Sequence, residues 1–219
     1  MKKLRAVCFD MDGTLILNTN SVKYLCQLNH KLQEVEEVEK EEEEGKYSWI
    51  EADYKKVKLI KGLNVEKVAE GFSSNIKLID GIAELINTLK KLGVITLLIT
   101  AGPIEVAEVI AKGYQFDHYY GSEYEVKNRS YTGKIKYHLG ADGKKKCFQD
   151  FCDNSNISPL DTIAIGDSSS DIEIFKICGK SIAINYSSSL VGYATEYIKT
   201  KDIRDVAEFL EIENLVIAT

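Results

Sequence analysis

The sequence contains no long apolar run. No stretch approaches the roughly 18 consecutive apolar residues that a membrane-spanning helix needs, and the early run AVCF is too short for the core of a signal peptide. We therefore expect no membrane partner and a cytoplasmic location.

Positive charge is scarce relative to negative charge. The 219 residues include 28 Lys and Arg against 34 Asp and Glu, which gives a net charge of -6. This balance provides no general attraction to nucleic acid or to an anionic membrane. The tyrosines within 118–140 lack a surrounding basic stripe, so half-buried strand positions are favoured over base stacking. We expect a small-molecule partner and no nucleic acid.

The cysteines do not form a paired framework. They are odd in number and scattered along the chain, unlike the disulfide pattern of a small secreted domain. The separation of Cys147 from Cys152 fits no familiar zinc knuckle, and the three histidines lie far apart in sequence. The sequence therefore favours buried free thiols at all five positions: Cys8, Cys26, Cys147, Cys152 and Cys178.

Short apolar runs that end in polar or turn residues predict the strands of a buried sheet. A helical pattern with apolar residues three and four apart occupies 82–92 and is closed by Gly93. Alternation of strand and helix predicts an α/β fold, a Rossmann-like three-layer α/β/α core with a parallel sheet. The predicted strands are 4–9, 94–100, 161–167 and 181–185.

Two segments interrupt this alternation. Residues 18–75 contain no strand-like run and predict a helical insertion, in which the charge run 34–46 is interpreted as a solvated or frayed helix end. Residues 118–140 alternate aromatic and polar side chains and predict a short antiparallel β-hairpin. The stretches of the insertion that are compatible with helix are 20–38, 47–60 and 64–73.

Polar side chains gather where the predicted strands end. In open parallel sheets, ligands bind at the carboxyl edge of the strands. Asp10 and Asp12 project the same way from an extended chain, Thr100 ends the second strand, and Asp167 and Asp171 flank a helix start. Four acids at one edge favour a hard divalent cation, and Mg²⁺ is the usual choice.

The same edge offers groups that suit a phosphate. Thr100 supplies a hydroxyl, the backbone amides of Ala101 and Gly102 precede a helix, and a run of three lysines at 144–146 supplies positive charge. Together with the acids, these groups favour phosphoryl transfer, for which an aspartate nucleophile is one established route. A calcium loop is the alternative for the first motif, but Ser21 stands where its twelfth-position acid would be.

In order and spacing, these residues resemble the four motifs of the haloacid dehalogenase superfamily of hydrolases. The resemblance implies a catalytic core over 1–17 and 76–219 and a helical cap domain over 18–75 that closes over small substrates. The motifs are Asp10-Met11-Asp12-Gly13-Thr14-Leu15, then Thr100, a lysine at 144–146, and Gly166-Asp167 with Asp171.

The resemblance also implies a role for each residue. Asp10 would attack phosphorus and become an aspartyl phosphate, while Asp12 would act first as general acid and then as general base. Thr100 and the Ala101 amide would grip the phosphoryl oxygens, and Lys144 would neutralise the phosphate and Asp10. Mg²⁺ would be held by four residues, the second of them through its carbonyl: Asp10, Asp12, Asp167 and Asp171.

Lys144 is the expected member of the lysine run. Apolar residues follow it at intervals of three, four, seven and eight, which is the buried face of a helix with the lysine in its leading loop. Lys145 and Lys146 then point toward solvent, and they remain the alternatives. The apolar residues of this face are Cys147, Phe148, Phe151 and Cys152.

The acid at position 12 favours a Mg²⁺-dependent phosphatase that hydrolyses a small phosphomonoester metabolite. Within the superfamily, the layout resembles phosphoserine phosphatases, but Asn18-Thr19-Asn20 replaces an expected glutamate, Tyr54-Lys55-Lys56 an expected arginine, and Ser170 an expected asparagine. The substrate is therefore open. A phosphomutase or phosphotransferase and a non-catalytic Mg²⁺ or phosphate-binding regulator are the alternatives, and the protein is expected to be a monomer or homodimer.

Overall fold

A seven-stranded sheet forms the centre of the protein. The structure is a computed structural model that describes residues 4–210. The strands are β1 Ala6–Phe9, β2 Ile95–Pro103, β3 His118–Lys127, β4 Ser130–Tyr137, β5 Thr162–Gly166, β6 Lys180–Ile184 and β7 Glu196–Ile198. Their order is β4-β3-β2-β1-β5-β6-β7, and every neighbouring pair is parallel except β3 and β4.

Helices cover both faces of this sheet. Along β1, Val7 and Phe9 belong to one apolar cluster while Ala6 and Cys8 belong to the other, because successive side chains of a strand point to opposite faces. The predicted three-layer α/β/α core is confirmed. The helices are α1 Ser21–Leu28, α2 Leu32–Glu43, α3 Trp49–Leu59, α4 Glu66–Asn75, α5 Ile82–Lys91, α6 Ile104–Tyr114, α7 Gly140–Asn154 and α8 Ile172–Phe175.

Register at the centre of the sheet determines which strand ends meet. Phe9 lies beside Leu98 of β2 and beside Ile165 of β5. All four residues of β1 and all five of β5 are buried, as expected for parallel strands covered on both faces. The residues that follow Phe9 and Ile165 are therefore neighbours at one edge.

The segment between β1 and α5 is helical, as predicted, but it is divided differently. The stretch expected as one helix over 20–38 forms two helices, since α1 ends at Leu28 and α2 starts at Leu32, with His30 at a φ of 58° between them. Tertiary bonds tie the segment to the hairpin, where Gly62 N–H donates to the Tyr131 carbonyl at 2.8 Å. The division of the chain into a core and a cap domain over 18–75 stays a prediction.

The predicted hairpin is present, whereas the last strand was not expected. The β3–β4 hairpin turns at Asn128 and Arg129, both with positive φ, which suits a two-residue hairpin turn. It also extends the central sheet, because β3 pairs in parallel with β2. Strand β7 has only three residues and was not predicted from the sequence.

The free thiols predicted from the sequence are present, although Cys147 is only partly buried. All five cysteines are free thiols, and four of them are buried. Between residues 4 and 210, no helix combines the length and the apolar character needed to cross a bilayer.

Tyr24 links two helices of the segment between β1 and α5, so its hydroxyl has a measurable effect on stability. The side chain is fully buried, and its hydroxyl donates to the Val68 carbonyl at 2.7 Å. Tyr24→Phe removes this buried hydrogen bond, and we expect the free energy of unfolding to fall by about 1 kcal/mol in urea denaturation. Tyr193→Phe, at a half-exposed position, should change it by less than about 0.5 kcal/mol. Equal effects of the two changes would contradict this prediction.

Candidate active site

The chain turns sharply after β1, at the carboxyl edge of the sheet. Asp10 is buried, and its N–H donates to the Ile165 carbonyl at 2.9 Å, which continues the pairing with β5. Gly13 follows with a φ of 78°, in the left-handed region that favours glycine. A Cβ atom at this position would lie 2.2 Å from Asp167 Oδ2. The glycine therefore permits both the turn and the close approach of Asp167.

Lys144 joins the acids of β1 and of the segment after β5. Its Nζ lies 2.6 Å from Asp10 Oδ1 and 2.6 Å from Asp171 Oδ1, and it donates to Ser170 Oγ at 3.3 Å. Only 1% of the lysine is exposed. Burial lowers the pKa of Lys144, but the negative charges of Asp10 and Asp171 outweigh burial and raise it well above the ordinary value. The lysine is a permanent buried cation.

Three carboxylates, named here the carboxylate cluster, meet around this lysine. Asp10, Asp167 and Asp171 each offer an oxygen, and the three oxygens lie within 4.8 Å of one another. Burial, followed by the charges of Asp10 and Asp171, raises the pKa of Asp167 to about 9. Asp167 Oδ1 is buried and has no hydrogen-bond partner among residues 4–210. One ammonium does not balance three carboxylates, so the carboxylate cluster fits a hard cation such as Mg²⁺.

Asp12 lies apart from the carboxylate cluster and is held by the start of α1. Its carboxylate accepts from Ser21 N–H at 2.7 Å and from the Ser21 hydroxyl. The Ser21 amide is one of the unpaired donors at a helix N-terminus. Burial raises the pKa of Asp12 to about 6, although the two Ser21 hydrogen bonds lower it. Asp12 is thus suited to hold and release a proton near neutral pH.

Ser21 has a role at the site that the sequence did not reveal. A Cβ atom on Gly102 would lie 2.3 Å from Ser21 Oγ, so the glycine allows α1 to approach the end of β2. The sequence feature that could have indicated this contact is Asn20. It caps α1, which begins at Ser21, and its side chain accepts from Lys23 N–H at 2.8 Å.

The end of β2 is arranged differently from the prediction. Thr100 is buried within β2, which continues to Pro103 rather than ending at Thr100. Gly102 N–H donates to Thr100 Oγ1 at 2.9 Å, so this amide is already engaged in orienting the hydroxyl. The Ala101 carbonyl accepts from Ser122 Oγ at 2.6 Å, which fixes the peptide between Ala101 and Gly102. Thr100, Ala101 and Gly102 all line the cavity described below.

The lysine run lies inside a helix, which corrects the expected leading loop. Helix α7 begins at Gly140, and Gly143 N–H donates to the Leu139 carbonyl at 2.7 Å. Gly140 and Gly143 lie in the first turn of this helix, where packing overrides their low helix propensity. Lys144 reaches the carboxylate cluster, whereas Lys145 lies 3.3 Å from Glu173 and Lys146 is exposed.

A cavity of about 290 Å³, named here the site cavity, opens beside Asp10 and Asp12. Residues at strand ends and residues from α1, α2 and α3 both contribute to its wall. The serines after β5 also line it, and Ser168 caps the turn that leads to Asp171. The residues from the helical segment are Asn20, Val22, Glu42, Trp49, Asp53 and Lys56.

Lys56 and Glu42 both line the site cavity, and Glu42 corrects an interpretation made from the sequence. Lys56 is buried rather than solvated, and its Nζ lies 2.9 Å from Glu42 Oε2 and 4.0 Å from Asp53 Oδ1. Glu42 belongs to the charge run interpreted as solvated, yet it lines the site cavity. No local feature distinguishes Glu42 from its glutamate neighbours, because only the packing of α2 on α3 selects it.

The fold and the site agree with a known family. Residues 4–179 match the family model described as haloacid dehalogenase-like hydrolase. This match covers most of the chain, and the chain therefore belongs to the haloacid dehalogenase-like hydrolases.

Within that family, the chain is phosphoserine-phosphatase-like. It is 28% identical over 212 residues to a phosphoserine phosphatase of Archaeoglobus fulgidus, which covers 96% of this chain and 61% of that protein. It is 27% identical over 211 residues to a phosphoserine phosphatase of Methanocaldococcus jannaschii, and the match covers 96% of this chain and 99% of that protein. A solved substrate-bound phosphoserine phosphatase complex is similar at 26% identity with a TM-score of 0.84, over 96% of this chain and 100% of that chain. The predicted family, the haloacid dehalogenase-like hydrolases, is confirmed.

Lys144 makes the acids of the site compatible with burial, and this dependence can be measured. Lys144→Met removes the one cation that contacts Asp10 and Asp171 among residues 4–210, and loss of one partner of a buried ion pair costs about 3–5 kcal/mol. We expect that decrease in the free energy of unfolding by urea denaturation without added metal. Lys146→Met, two residues along the same helix and exposed, is the control and should change it by less than about 0.5 kcal/mol. A stable Lys144→Met variant would show that the lysine does not balance the acids.

Proposed function

We propose that the protein is a Mg²⁺-dependent phosphatase that hydrolyses a small phosphomonoester through an aspartyl phosphate on Asp10. One observation carries the proposal. The Asp10 carboxylate is paired with a buried ammonium at 2.6 Å, belongs to the carboxylate cluster, and lines a cavity that also contains Asp12 and Thr100. The relatives named above, which are phosphoserine phosphatases, support the same reaction class.

The reaction divides into two displacements at phosphorus. A carboxylate oxygen of Asp10 forms a bond to phosphorus while the bond from phosphorus to the alcohol oxygen breaks, and Asp12 gives that oxygen its proton. The alcohol leaves, and Asp12, now ionised, takes a proton from water as the water oxygen attacks phosphorus. The bond between phosphorus and Asp10 then breaks, which releases inorganic phosphate and restores both carboxyl groups.

The remaining residues hold the phosphoryl group and balance its charge. Lys144 neutralises Asp10 and the phosphoryl oxygens, and the Thr100 hydroxyl with the Ala101 amide binds those oxygens. Gly102 acts by orienting the hydroxyl through the bond from its N–H to Thr100 Oγ1. When bound, Mg²⁺ supplies further positive charge to the phosphoryl oxygens. The residues that would hold it are Asp10, Asp167, Asp171 and the backbone carbonyl of Asp12.

Two alternative functions, the location and the oligomeric state stay predictions. A phosphomutase or phosphotransferase would use the same first displacement, and a regulator would bind Mg²⁺ or phosphate without turnover. The geometry of the site tests neither the cytoplasmic location nor the choice between monomer and homodimer.

Asp10→Asn tests the nucleophile. The amide removes the attacking oxygen anion, and we expect hydrolysis of p-nitrophenyl phosphate with Mg²⁺ present to fall at least about a thousandfold. Asp150→Asn, exposed on α7, makes the same chemical change away from the site and should leave the rate unchanged. Full activity in Asp10→Asn would refute the proposal.

The same assay separates the alternatives. A regulator would release no phosphate in either form of the protein, while Mg²⁺ would still raise the melting temperature of the parent. A mutase would require a bisphosphate activator and would conserve total ester phosphate.

Ser21 is a positioning residue for Asp12, and leaving groups test this role. Ser21→Ala removes a hydrogen bond to the general acid, and the rate should fall most where the leaving oxygen needs a proton. We expect kcat for an alkyl phosphate to decrease about tenfold with KM nearly unchanged, and kcat for p-nitrophenyl phosphate to decrease less than about threefold. Ser74→Ala, exposed on α4, is the control. Equal losses with both substrates would contradict the role.

A further inference from the structure

The part of the site cavity formed by α2 and α3 carries an unusual charge pattern. Among residues 4–210 that line the cavity, the charged side chains are four acids and one lysine, Lys56. Asp10 and Asp12 serve the phosphoryl end. The part contributed by α2 and α3 therefore contains two carboxylates, Glu42 and Asp53, and a single ammonium.

Lys56 has no free charge to offer a substrate. Its Nζ is 2.9 Å from Glu42 Oε2 and 4.0 Å from Asp53 Oδ1, and only 7% of the side chain is exposed. A substrate carboxylate would be a third acid around one buried ammonium. Three carboxylates close to one buried ammonium would repel one another, and this repulsion is stronger where water is excluded. The pair therefore disfavours a substrate that carries a carboxylate beside its phosphate.

Asp53 is held in place from a second direction. His138 Nε2 lies 3.0 Å from Asp53 Oδ2, and 6% of the histidine side chain is exposed. His138 precedes α7, so the segment that leads to Lys144 also fixes a carboxylate of α3. The charge of Asp53 reaches Asp12, where it contributes to the raised pKa of that acid. Asp53 is thus near the residue that protonates the leaving alcohol.

An aromatic side chain completes this part of the cavity. Trp49 lines it, and the Trp49 ring centroid is 5.5 Å from that of His138. The face of an indole attracts cations, and tryptophan is the strongest of the aromatic residues in this respect. With His138 counted as uncharged, two carboxylates, one paired lysine and an indole leave a local excess of one negative charge.

We propose that the substrate is the phosphate monoester of a short amino alcohol, with an ammonium group and no carboxylate. The ammonium would lie among Glu42, Asp53 and Trp49 and would balance the excess negative charge there. A cavity of about 290 Å³ limits the alcohol to a few heavy atoms beyond the phosphate. This inference rests on the proposed phosphatase function and names the class of its substrate.

Four esters with matched skeletons test the inference. O-phosphoethanolamine carries the ammonium, 2-hydroxyethyl phosphate replaces it with a neutral hydroxyl, phosphoglycolate replaces it with a carboxylate, and O-phospho-L-serine carries both charges. We expect kcat/KM for O-phosphoethanolamine to exceed each of the other three values by about tenfold or more. A value for O-phospho-L-serine that equals or exceeds it would overturn the inference, as would equal values for O-phosphoethanolamine and the neutral ester.

A matched pair of variants locates the preference. Glu42→Gln removes one of the two carboxylates, and we expect the ratio of kcat/KM for O-phosphoethanolamine to that for phosphoglycolate to fall about tenfold. Glu37→Gln makes the same charge change on an exposed face of α2 and should leave the ratio unchanged. An unchanged ratio in Glu42→Gln would overturn the assignment of the ammonium site to Glu42.

Binding to the Asp10→Asn variant separates this inference from the proposed function. Calorimetry with the four esters measures the preference without turnover, and the same order of affinities is expected. If p-nitrophenyl phosphate is hydrolysed through Asp10 but the ammonium ester is not preferred, the substrate class fails and the phosphatase function stands. If no ester is hydrolysed, the phosphatase function fails, and the calorimetric order alone supports or overturns the ammonium site.

Discussion

The buried charge balance around Lys144 is the constraint on which the site depends. An isolated ion in a protein interior is strongly unfavourable, so each buried acid requires a partner. Lys144 contributes one positive charge from α7, while Asp10 comes from the end of β1 and Asp171 from the segment after β5. The three elements must therefore converge for any of them to be stable. With Asp167 beside them, the acids still exceed the lysine, which leaves a net negative charge that attracts a cation.

Two glycines allow close contacts that give the acids of the site two different environments. Gly13 lets Asp167 approach the turn after β1, and Gly102 lets Ser21 reach Asp12. The contact between Gly13 and Asp167 brings Asp167 to the carboxylate cluster around Lys144. The second contact surrounds a single carboxylate with two hydrogen-bond donors and, within the described part of the chain, no ammonium. Two aspartates separated by one residue thus acquire different environments, which is what a nucleophile and a proton donor require.

Local patterns predicted the sheet and the acids, whereas tertiary packing decided the rest. The apolar run before Asp10 specifies a buried strand by itself, and the edge at which parallel strands end follows from topology. Nothing local specifies that α7 begins at Gly140, because glycine there disfavours helix. Lys56 likewise resembles any helical lysine until α2 packs beside α3 and supplies Glu42.

This contrast has a chemical consequence. The phosphoryl end of the site cavity is built from strand ends in the middle of the sheet, where register fixes each position. The other end is built from α2 and α3, whose charged residues are set by how two helices meet. Substitutions in those helices can change the charge that faces the alcohol without disturbing the displacement at phosphorus. Membership of the family therefore supports the proposed reaction class, while the substrate has to be inferred from the charges at Glu42, Asp53 and Lys56.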